Sequence, residues 1–172
     1  TKDYGTFRQY SDCNVITVDD DVLYPRTFVQ KLIDAPSAST ITAYRAHRVV
    51  LDEDGIAPYK KWRPVRTAEP SVLHFATGVD GVRYPKEMVR YVAERGTEFL
   101  DLAPRADDVW LNHCALRAGF PVQQVSERSA NFPLVPGSQR VRLSRVNLSG
   151  GNDVQIAATY SAEDVAKLRA TE

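Results

Sequence analysis

The chain has 172 residues, of which 43% are hydrophobic and 26% charged, as is typical of a soluble globular protein with a single domain. Its 22 basic and 22 acidic residues balance, so the formal net charge is zero and no polyanion-binding signature stands out. This balance argues against nucleic acid as a partner.

The sequence contains neither a secretory signal nor an apolar run of about 18 residues, so we predict no membrane span. Cys13 and Cys114 form neither a metal-binding spacing nor a disulfide framework, which favours a reduced, cytoplasmic protein. The chain opens at Thr1, and its first predicted strand follows after about fifteen residues. We therefore expect a further segment upstream.

The first predicted elements surround an acidic run. Residues 1–12 lack periodicity and are predicted to form a loop. Val15–Val18 is a short, apolar, β-branched run, the pattern of a central parallel strand covered on both faces. Beyond the acidic run, Tyr24-Pro25 begins a predicted helix that must end before Pro36. The apolar residues that recur in it with helical spacing are Phe28, Val29, Leu32 and Ile33.

The acidic run itself is Asp19-Asp20-Asp21. Successive side chains of an extended segment alternate, which places Asp19 and Asp21 on one side and Asp20 on the other. Adjacent carboxylates repel one another, and a divalent cation relieves that repulsion. Mg²⁺ or Mn²⁺ suits such oxygens, since Mg²⁺ is usually held by one or two carboxylates, with water and phosphate oxygens completing its shell. The alternative is a solvated acidic turn that ends the strand.

Residues 40–51 form a second β-prone segment, in which Arg45, His47 and Arg48 predict a basic strand face. This face either meets a phosphate group or belongs to a solvated edge strand. Asp52–Gly55 is a predicted turn. Residues 58–70, rich in Lys, Arg, Trp and Pro, are predicted to be irregular.

A third strand is predicted at Ser71–Thr77, and it runs directly into Gly78-Val79-Asp80-Gly81. Glycines at a strand end let the backbone approach a ligand closely, although an ordinary tight turn has the same composition. Lys86–Arg95 is a predicted helix closed by Gly96.

The remaining elements continue the alternation of helices and strands. After a short apolar stretch at Phe99–Leu102, Asp107 or Asp108 opens a helix that ends at Gly119. Phe120–Val125 is the next predicted strand.

Residues 126–152 are predicted to be mostly loop, with one candidate strand at Val141–Val146. Ser161 caps a terminal helix through Ala170. The whole pattern predicts one α/β layered domain over residues 1–172.

Three of these segments resemble, in their order, the motifs of bacterial GT-A type glycosyltransferases. They are Val18-Asp19-Asp20-Asp21, Thr77-Gly78-Val79-Asp80-Gly81-Val82-Arg83-Tyr84-Pro85 and Ala106-Asp107-Asp108-Val109-Trp110-Leu111. Residues 147–155, with their Gly-Gly-Asn-Asp run, resemble the end of that family's domain, and the similarity covers most of residues 3–157.

The resemblance implies a GT-A fold, which is Rossmann-like with a mixed sheet and flanking helices. It also implies an incomplete N-terminus, because family members carry about 80 or more residues ahead of this point, in the half that holds the nucleoside.

The same resemblance assigns roles to individual residues. In that family an Asp-X-Asp motif holds a divalent metal against the diphosphate of a nucleotide sugar, which implies Mn²⁺ or Mg²⁺ on Asp19 and Asp21. The Gly-rich strand end shapes the sugar and acceptor pocket. The residues with an implied diphosphate- or sugar-binding role are Asp20, Gly78, Asp80 and Gly81.

An acidic pair at a helix start supplies the catalytic base in the inverting members of the family, which implies that Asp108, or else Asp107, is the base. The start of a helix is equally where an Asp that only caps the helix is found.

Other side chains are weaker candidates. His113 lies about one turn after the acidic pair and either shares a ligand or packs structurally. For His47 and His74, in β-prone segments, a structural role is predicted. Trp62 and Trp110 either stack on sugar or pack in the core.

The sequence thus predicts a metal-dependent glycosyltransferase that moves a sugar from a nucleotide diphosphate sugar to a carbohydrate acceptor, in the synthesis of cell-surface polysaccharide or glycan. One rival is a non-catalytic carbohydrate-binding or assembly module of the same fold. The other is a metal-dependent nucleotidyl or phosphoryl transferase, which also uses Asp-X-Asp with Mg²⁺. Hydrolysis of the donor distinguishes the glycosyltransferase from the non-catalytic module. Which bond of the donor is broken distinguishes the glycosyltransferase from the nucleotidyl or phosphoryl transferase.

Overall fold

Helices and a mixed sheet make up the computed structural model, which describes residues 3–34, 39–137 and 151–172. The helices are α1 (Tyr4–Gln9), α2 (Phe28–Ile33), α3 (Lys86–Glu94), α4 (Phe99–Leu102), α5 (Asp107–Ala118), α6 (Asn152–Thr159) and α7 (Ala162–Arg169). The strands are β1 (Val15–Thr17), β2 (Ile41–Ala43), β3 (Ala46–Arg48), β4 (Leu51–Asp52), β5 (Gly55–Ile56), β6 (Arg63–Pro64), β7 (His74–Ala76), β8 (Val82–Tyr84) and β9 (Val122–Gln124). The predicted α/β class is confirmed.

Among the described residues, the main sheet has four strands in the order β1-β8-β2-β9. β8 pairs antiparallel with both β1 and β2, whereas β2 and β9 run parallel. β1 is therefore an antiparallel edge strand, and the prediction of a central parallel strand at Val15–Val18 is wrong. An apolar β-branched run indicates that a strand is covered, but it does not indicate how many strands pair with it. Val15 is buried, while Val18 lies beyond the strand and is 51% exposed.

A smaller antiparallel sheet, in the order β6-β3-β7, carries the basic segment, and the hairpin β4–β5 follows at the predicted turn. The register of β3 against β7 pairs Ala46 with Ala76 and Arg48 with His74. Opposed residues of an antiparallel pair lie on the same face. Arg48 and His74 therefore share one face of this sheet, and His47 belongs to the other.

Helix α5 lies inside the hydrophobic core. Its residues from Val109 to Leu116 are all buried, which means that the helix is enclosed on every side. Asn112 joins it to β7, because the Asn112 side chain accepts a hydrogen bond from Ala76 N (2.9 Å) and donates one to Ala76 O (2.8 Å). The first turn of α5 is thereby held in a fixed position beside the end of β7.

A second, smaller core is built from aromatic rings. We call Tyr24, Phe28, Tyr44 and Phe132 the aromatic cluster. The rings of Phe28 and Tyr44 stack with centroids 5.1 Å apart, and Phe132 meets Tyr44 edge-on at 5.0 Å. The Tyr44 hydroxyl donates a hydrogen bond to Phe28 O at 2.9 Å. This cluster packs α2 and the segment around Phe132 against the end of β2.

Several predicted elements are confirmed, and others were missed. Helices occur where the sequence predicted them at α2, α3, α5 and α7, and strands occur at β7 and β9. Residues 1–12 were predicted to be a loop, but they contain α1, whose Phe7 is fully buried. A six-residue helix is too short for a periodic pattern.

β8 was missed directly after the Gly-rich loop, and α6 begins at the end of the predicted loop. The short elements β5 and α4 were also missed, and the prediction that residues 58–70 are irregular is wrong at β6, which pairs with β3. The candidate strand Val141–Val146 lies outside the described residues. Within the described ranges, none of the helices has the length and apolar character needed to cross a membrane.

Candidate active site

The register of the main sheet brings three distant points of the chain together. Thr17, the last residue of β1, pairs with Val82, the first residue of β8, and Val82 also pairs with Ala43 at the end of β2. The residues that follow Thr17 and Ala43 therefore meet the residues that precede Val82. These residues are the acidic run Asp19–Asp21, then Arg45, and the loop Gly78–Gly81.

The acidic run lies beside the hydroxyl of Tyr24. Asp19 N donates a hydrogen bond to that hydroxyl at 2.9 Å. Burial raises the pKa of Tyr24, and the negative charges of Asp19, Asp80 and Asp21 raise it further. Asp19 and Asp21 are half-buried here while Asp20 is exposed. The sequence predicts such a difference from an extended segment, but Asp20 and Asp21 lie in a turn that follows β1.

Asp80 is buried in the Gly-rich loop, with 2% of its surface exposed. Its backbone is left-handed (φ 70°), a conformation that Asp adopts more readily than most residues. Its Oδ1 accepts a hydrogen bond from Phe132 N at 3.1 Å, and its buried Oδ2 has no hydrogen-bond partner among the described residues. Burial raises the pKa of Asp80 above its usual range, and the charge of Asp19 adds to the rise, while Arg45 opposes it.

Asp108 is attached to the same loop. Its Oδ1 accepts a hydrogen bond from Gly78 N at 2.9 Å. The N-cap of α5 is Ala106, which makes no side-chain cap bond, so Asp108 lies within the first turn rather than at the cap. A Cβ on Gly78 would lie 2.8 Å from Asp108 Oδ1, so only glycine leaves room for this contact. The alternative of Asp108 as an N-cap residue is wrong, and Asp107 is half-buried beside it.

Tyr59 and His47 form the opposite side of the site, and the sequence did not indicate this role for either. The Tyr59 hydroxyl lies 3.0 Å from His47 Nδ1. Burial and the nearby charge of Asp108 raise the pKa of Tyr59 to about 12, with Arg45 acting against them. Burial also lowers the pKa of His47, and Arg45 lowers it further. Arg45 thus lies among Asp80, His47 and Tyr59.

Asp153 supports this side from α6. Its Oδ1 accepts a hydrogen bond from Tyr59 N at 2.7 Å, which ties the first turn of α6 to the site. Asp153 belongs to the Gly-Gly-Asn-Asp run noticed in the sequence, but its contact with Tyr59 joins residues too far apart in the chain for any local pattern to reveal.

The remaining candidates lie elsewhere. His113 is buried between Trp110 and Tyr160. Its Nε2 lies 3.3 Å from Asp164 Oδ2, so the ring interacts with α7 and not with the loop at Gly78. Trp110 and Trp62 are both buried in the main core, with 0% and 6% of their surfaces exposed, and so they pack rather than stack on a sugar.

The residues assembled here offer a cation only one or two carboxylate ligands. Within residues 3–34, 39–137 and 151–172, no group of three or more His, Cys, Asp or Glu side chains is arranged to hold a metal ion. Mg²⁺ bound together with a diphosphate needs only one or two carboxylates, however. Asp19 and the unpartnered Oδ2 of Asp80 fit that smaller donor set.

Comparisons of the chain with models of protein families, with curated proteins and with solved structures found no match.

Proposed function

We propose that this chain belongs to a metal-dependent, inverting glycosyltransferase of GT-A fold, which moves a sugar from a nucleotide diphosphate sugar to a carbohydrate acceptor in the cytoplasm. The observation that carries the proposal is the 2.9 Å hydrogen bond from Gly78 N to Asp108 Oδ1. It joins the Gly-rich loop to the acidic pair, two segments that are thirty positions apart in the sequence. A loop for the sugar and a carboxylate for the acceptor are both needed where the transfer takes place.

Asp108 suits the role of general base. A sugar hydroxyl is a poor nucleophile at neutral pH, and a carboxylate within about 3 Å of its proton accelerates displacement by typically 10² to 10⁴. The helix dipole and the Gly78 N–H both favour the charged, proton-accepting form of such a carboxylate. The contact with Asn112 and Ala76 fixes the turn that carries it.

The donor side of the proposal rests on the acidic run. The charges of Asp19, Asp21 and Asp80 all act on Tyr24. Asp19 together with either Asp21 or Asp80 gives the pair of carboxylates that would hold Mn²⁺ or Mg²⁺. The cation would offset the negative charge of the diphosphate leaving group. Asp20, Gly78 and Gly81 are the remaining residues to which we assign diphosphate or sugar contacts.

The decisive experiment measures transfer and donor hydrolysis by Asp108→Asn in the full-length protein. An Asn oxygen still accepts the Gly78 N–H, so the variant should fold normally while turnover falls by about 10² to 10⁴. Asp107→Asn tests the neighbouring carboxylate. Asp101→Asn, on the exposed surface of α4, is the matched control and should leave turnover unchanged.

A folded Asp108→Asn variant with near-normal turnover would remove Asp108 as the base. Absence of both transfer and donor hydrolysis in the wild type would instead favour a non-catalytic binding module. Cleavage between the phosphates, rather than at the sugar–oxygen bond, would indicate a nucleotidyl or phosphoryl transferase.

A further inference from the structure

The smaller sheet carries a row of basic side chains that the candidate active site does not use. Arg48 in β3 pairs with Arg63 in β6 on one side and with His74 in β7 on the other. Because opposed residues of antiparallel strands project from the same face, all three side chains share one face of this sheet.

This row lines a groove of about 560 Å³. Arg66 and Thr67, which follow β6, extend its wall. Three arginines and a histidine therefore border one open space large enough for a small ligand.

No counter-charge neutralises the groove within the part of the chain that the structure describes. None of the ion pairs found there involves Arg48, Arg63 or Arg66. His74 Nδ1 lies 3.1 Å from Val122 O, so its ring is held by the backbone of β9. Like charges directly opposed across strands are unfavourable, and here Arg48 faces Arg63. All three arginines are exposed to solvent, so their guanidinium groups are accessible to an anion.

We propose that this groove binds an oxyanion, a phosphate or carboxylate group carried by a saccharide. Arginine is the side chain best matched to both groups, because its planar fork donates two parallel hydrogen bonds to either. Arg48 lies three residues after Arg45 on the same extended segment, about 10 Å further along the chain, and the groove is on the opposite face of this sheet from His47. Resting on the proposed function, the inference is that the acceptor is an acidic saccharide that extends past the edge of this sheet, with its charged group in the groove.

The test is an NMR titration of the protein in EDTA, which removes any divalent cation and with it the donor site. Pyrophosphate and glucuronate are the two anionic probes, and glucose is the uncharged control. We expect amide shifts around Arg48, Arg63 and His74 with one or both anions and none with glucose. Arg48→Gln and Arg63→Gln should each weaken binding by about tenfold or more, since a charge-assisted hydrogen bond contributes that much. Arg8→Gln, the same change on the exposed surface of α1, should not weaken it.

Response to pyrophosphate alone identifies a phosphate site, and response to glucuronate identifies a carboxylate site. No groove shifts with either anion, in a protein that transfers sugar, would overturn this inference and leave the proposed function standing. Groove binding in a protein without transfer would overturn the function alone.

Relief of the Arg48–Arg63 repulsion should keep or raise the melting temperature of Arg48→Gln by about 1 to 3 °C. A marked fall, together with lost binding, would make Arg48 a structural residue and refute the proposal.

Discussion

At the scale of single residues, the acidic run distributes three chemically identical side chains among different surroundings. Asp19 and Asp21 lie near the Tyr24 hydroxyl, whereas Asp20 is exposed to solvent. The sequence predicts this difference from the alternation of an extended strand. The run instead enters a turn at Asp20 and Asp21, one of the alternatives that the sequence left open. Tyr24 was predicted only as a helix start, because its electrostatic interaction with Asp80 depends on the register of β1 against β8.

We expect Asp19→Asn and Asp21→Asn to weaken Mn²⁺ binding by about tenfold or more, which is about 1.4 kcal/mol, because each variant removes a charged ligand. Asp20→Asn makes the same change in charge one position away and should bind within about twofold of the wild type. Calorimetry with and without a nucleoside diphosphate measures all three. Equal losses in the three variants would mean that the run attracts cations only through its net charge.

At the scale of secondary-structure elements, α7 is joined to α5 through one buried carboxylate. Asp164 is fully buried and accepts hydrogen bonds from Ser161 N (2.8 Å) and Arg117 Nη2 (2.9 Å), while Ser161 caps the helix in return. Burial alone would raise the pKa of Asp164, but the bonds from Ser161 and Arg117 hold it below its usual range. This contact fixes the C-terminal helix against the helix that carries Asp108.

Asp164→Asn should lower the free energy of unfolding by about 3 kcal/mol, because it leaves Arg117 without its buried partner. The melting temperature should fall by roughly 6 to 12 °C. Glu163→Gln, on the exposed side of the same turn, should change stability by about 0.5 kcal/mol or less. A similar loss in both variants would show that the pair acts as an ordinary surface ion pair.

The same contact determines how stability responds to acid. The folded-state pKa of Asp164 is depressed, so its contribution is present at neutral pH and is lost as the pH falls through that value. Burial lowers the pKa of His113 in the folded state below its ordinary value of 6.5, so stability is also lost as the pH falls below 6.5. The charge of Asp164 raises the pKa of His113, so Asp164→Asn increases this part of the loss. At lower pH, where Asp164 itself takes up a proton, the melting temperature of the wild type should decline more steeply than that of Asp164→Asn.

The elements themselves were predictable to different degrees. Gly119 at the end of α5, with φ 78°, and the Ser161 capping box are local signals, and both ends were located correctly. β8 was missed because Val82–Tyr84 lies between a Gly-rich turn and a proline, and its strand character comes from pairing with β1 and β2 on either side. Strand order depends on such pairing, which is why β1 was expected at the centre of the sheet and lies at its edge.

At the scale of the whole molecule, the two hydrophobic cores differ greatly in size. The main core surrounds α5, whereas the second core, around the aromatic cluster, contains among the described residues only three buried hydrophobic ones, Phe28, Leu32 and Tyr44. Regions with few buried apolar contacts open more readily than the rest of a domain. The aromatic cluster supports Asp80 through Phe132, so the donor side of the candidate site belongs to the less stable part of the fold.

Hydrogen exchange should therefore be faster at residues 22–34 and 130–135 than at Asp107–Ala118. If Mn²⁺ and a nucleoside diphosphate bind only while residues 22–34 and 130–135 are folded, they should slow exchange in these two segments. The slowing should reach about 100-fold at a ligand concentration of 100 times the dissociation constant. The same addition to Asp19→Asn should have little effect. Equal exchange in all three segments would mean that the molecule opens as one unit.

The hydrogen bond between Gly78 and Asp108 also makes the proposed base directly observable. An amide proton that points at a carboxylate oxygen changes its resonance frequency when that carboxylate gains or loses a proton, so the Gly78 signal would titrate with Asp108. A pH series of ¹⁵N-labelled protein would then follow the protonation of Asp108 without substrate, donor or turnover. The same signal would shift again when an acceptor hydroxyl approaches, and it would give a spectroscopic record of ground-state binding at the atom where catalysis is proposed.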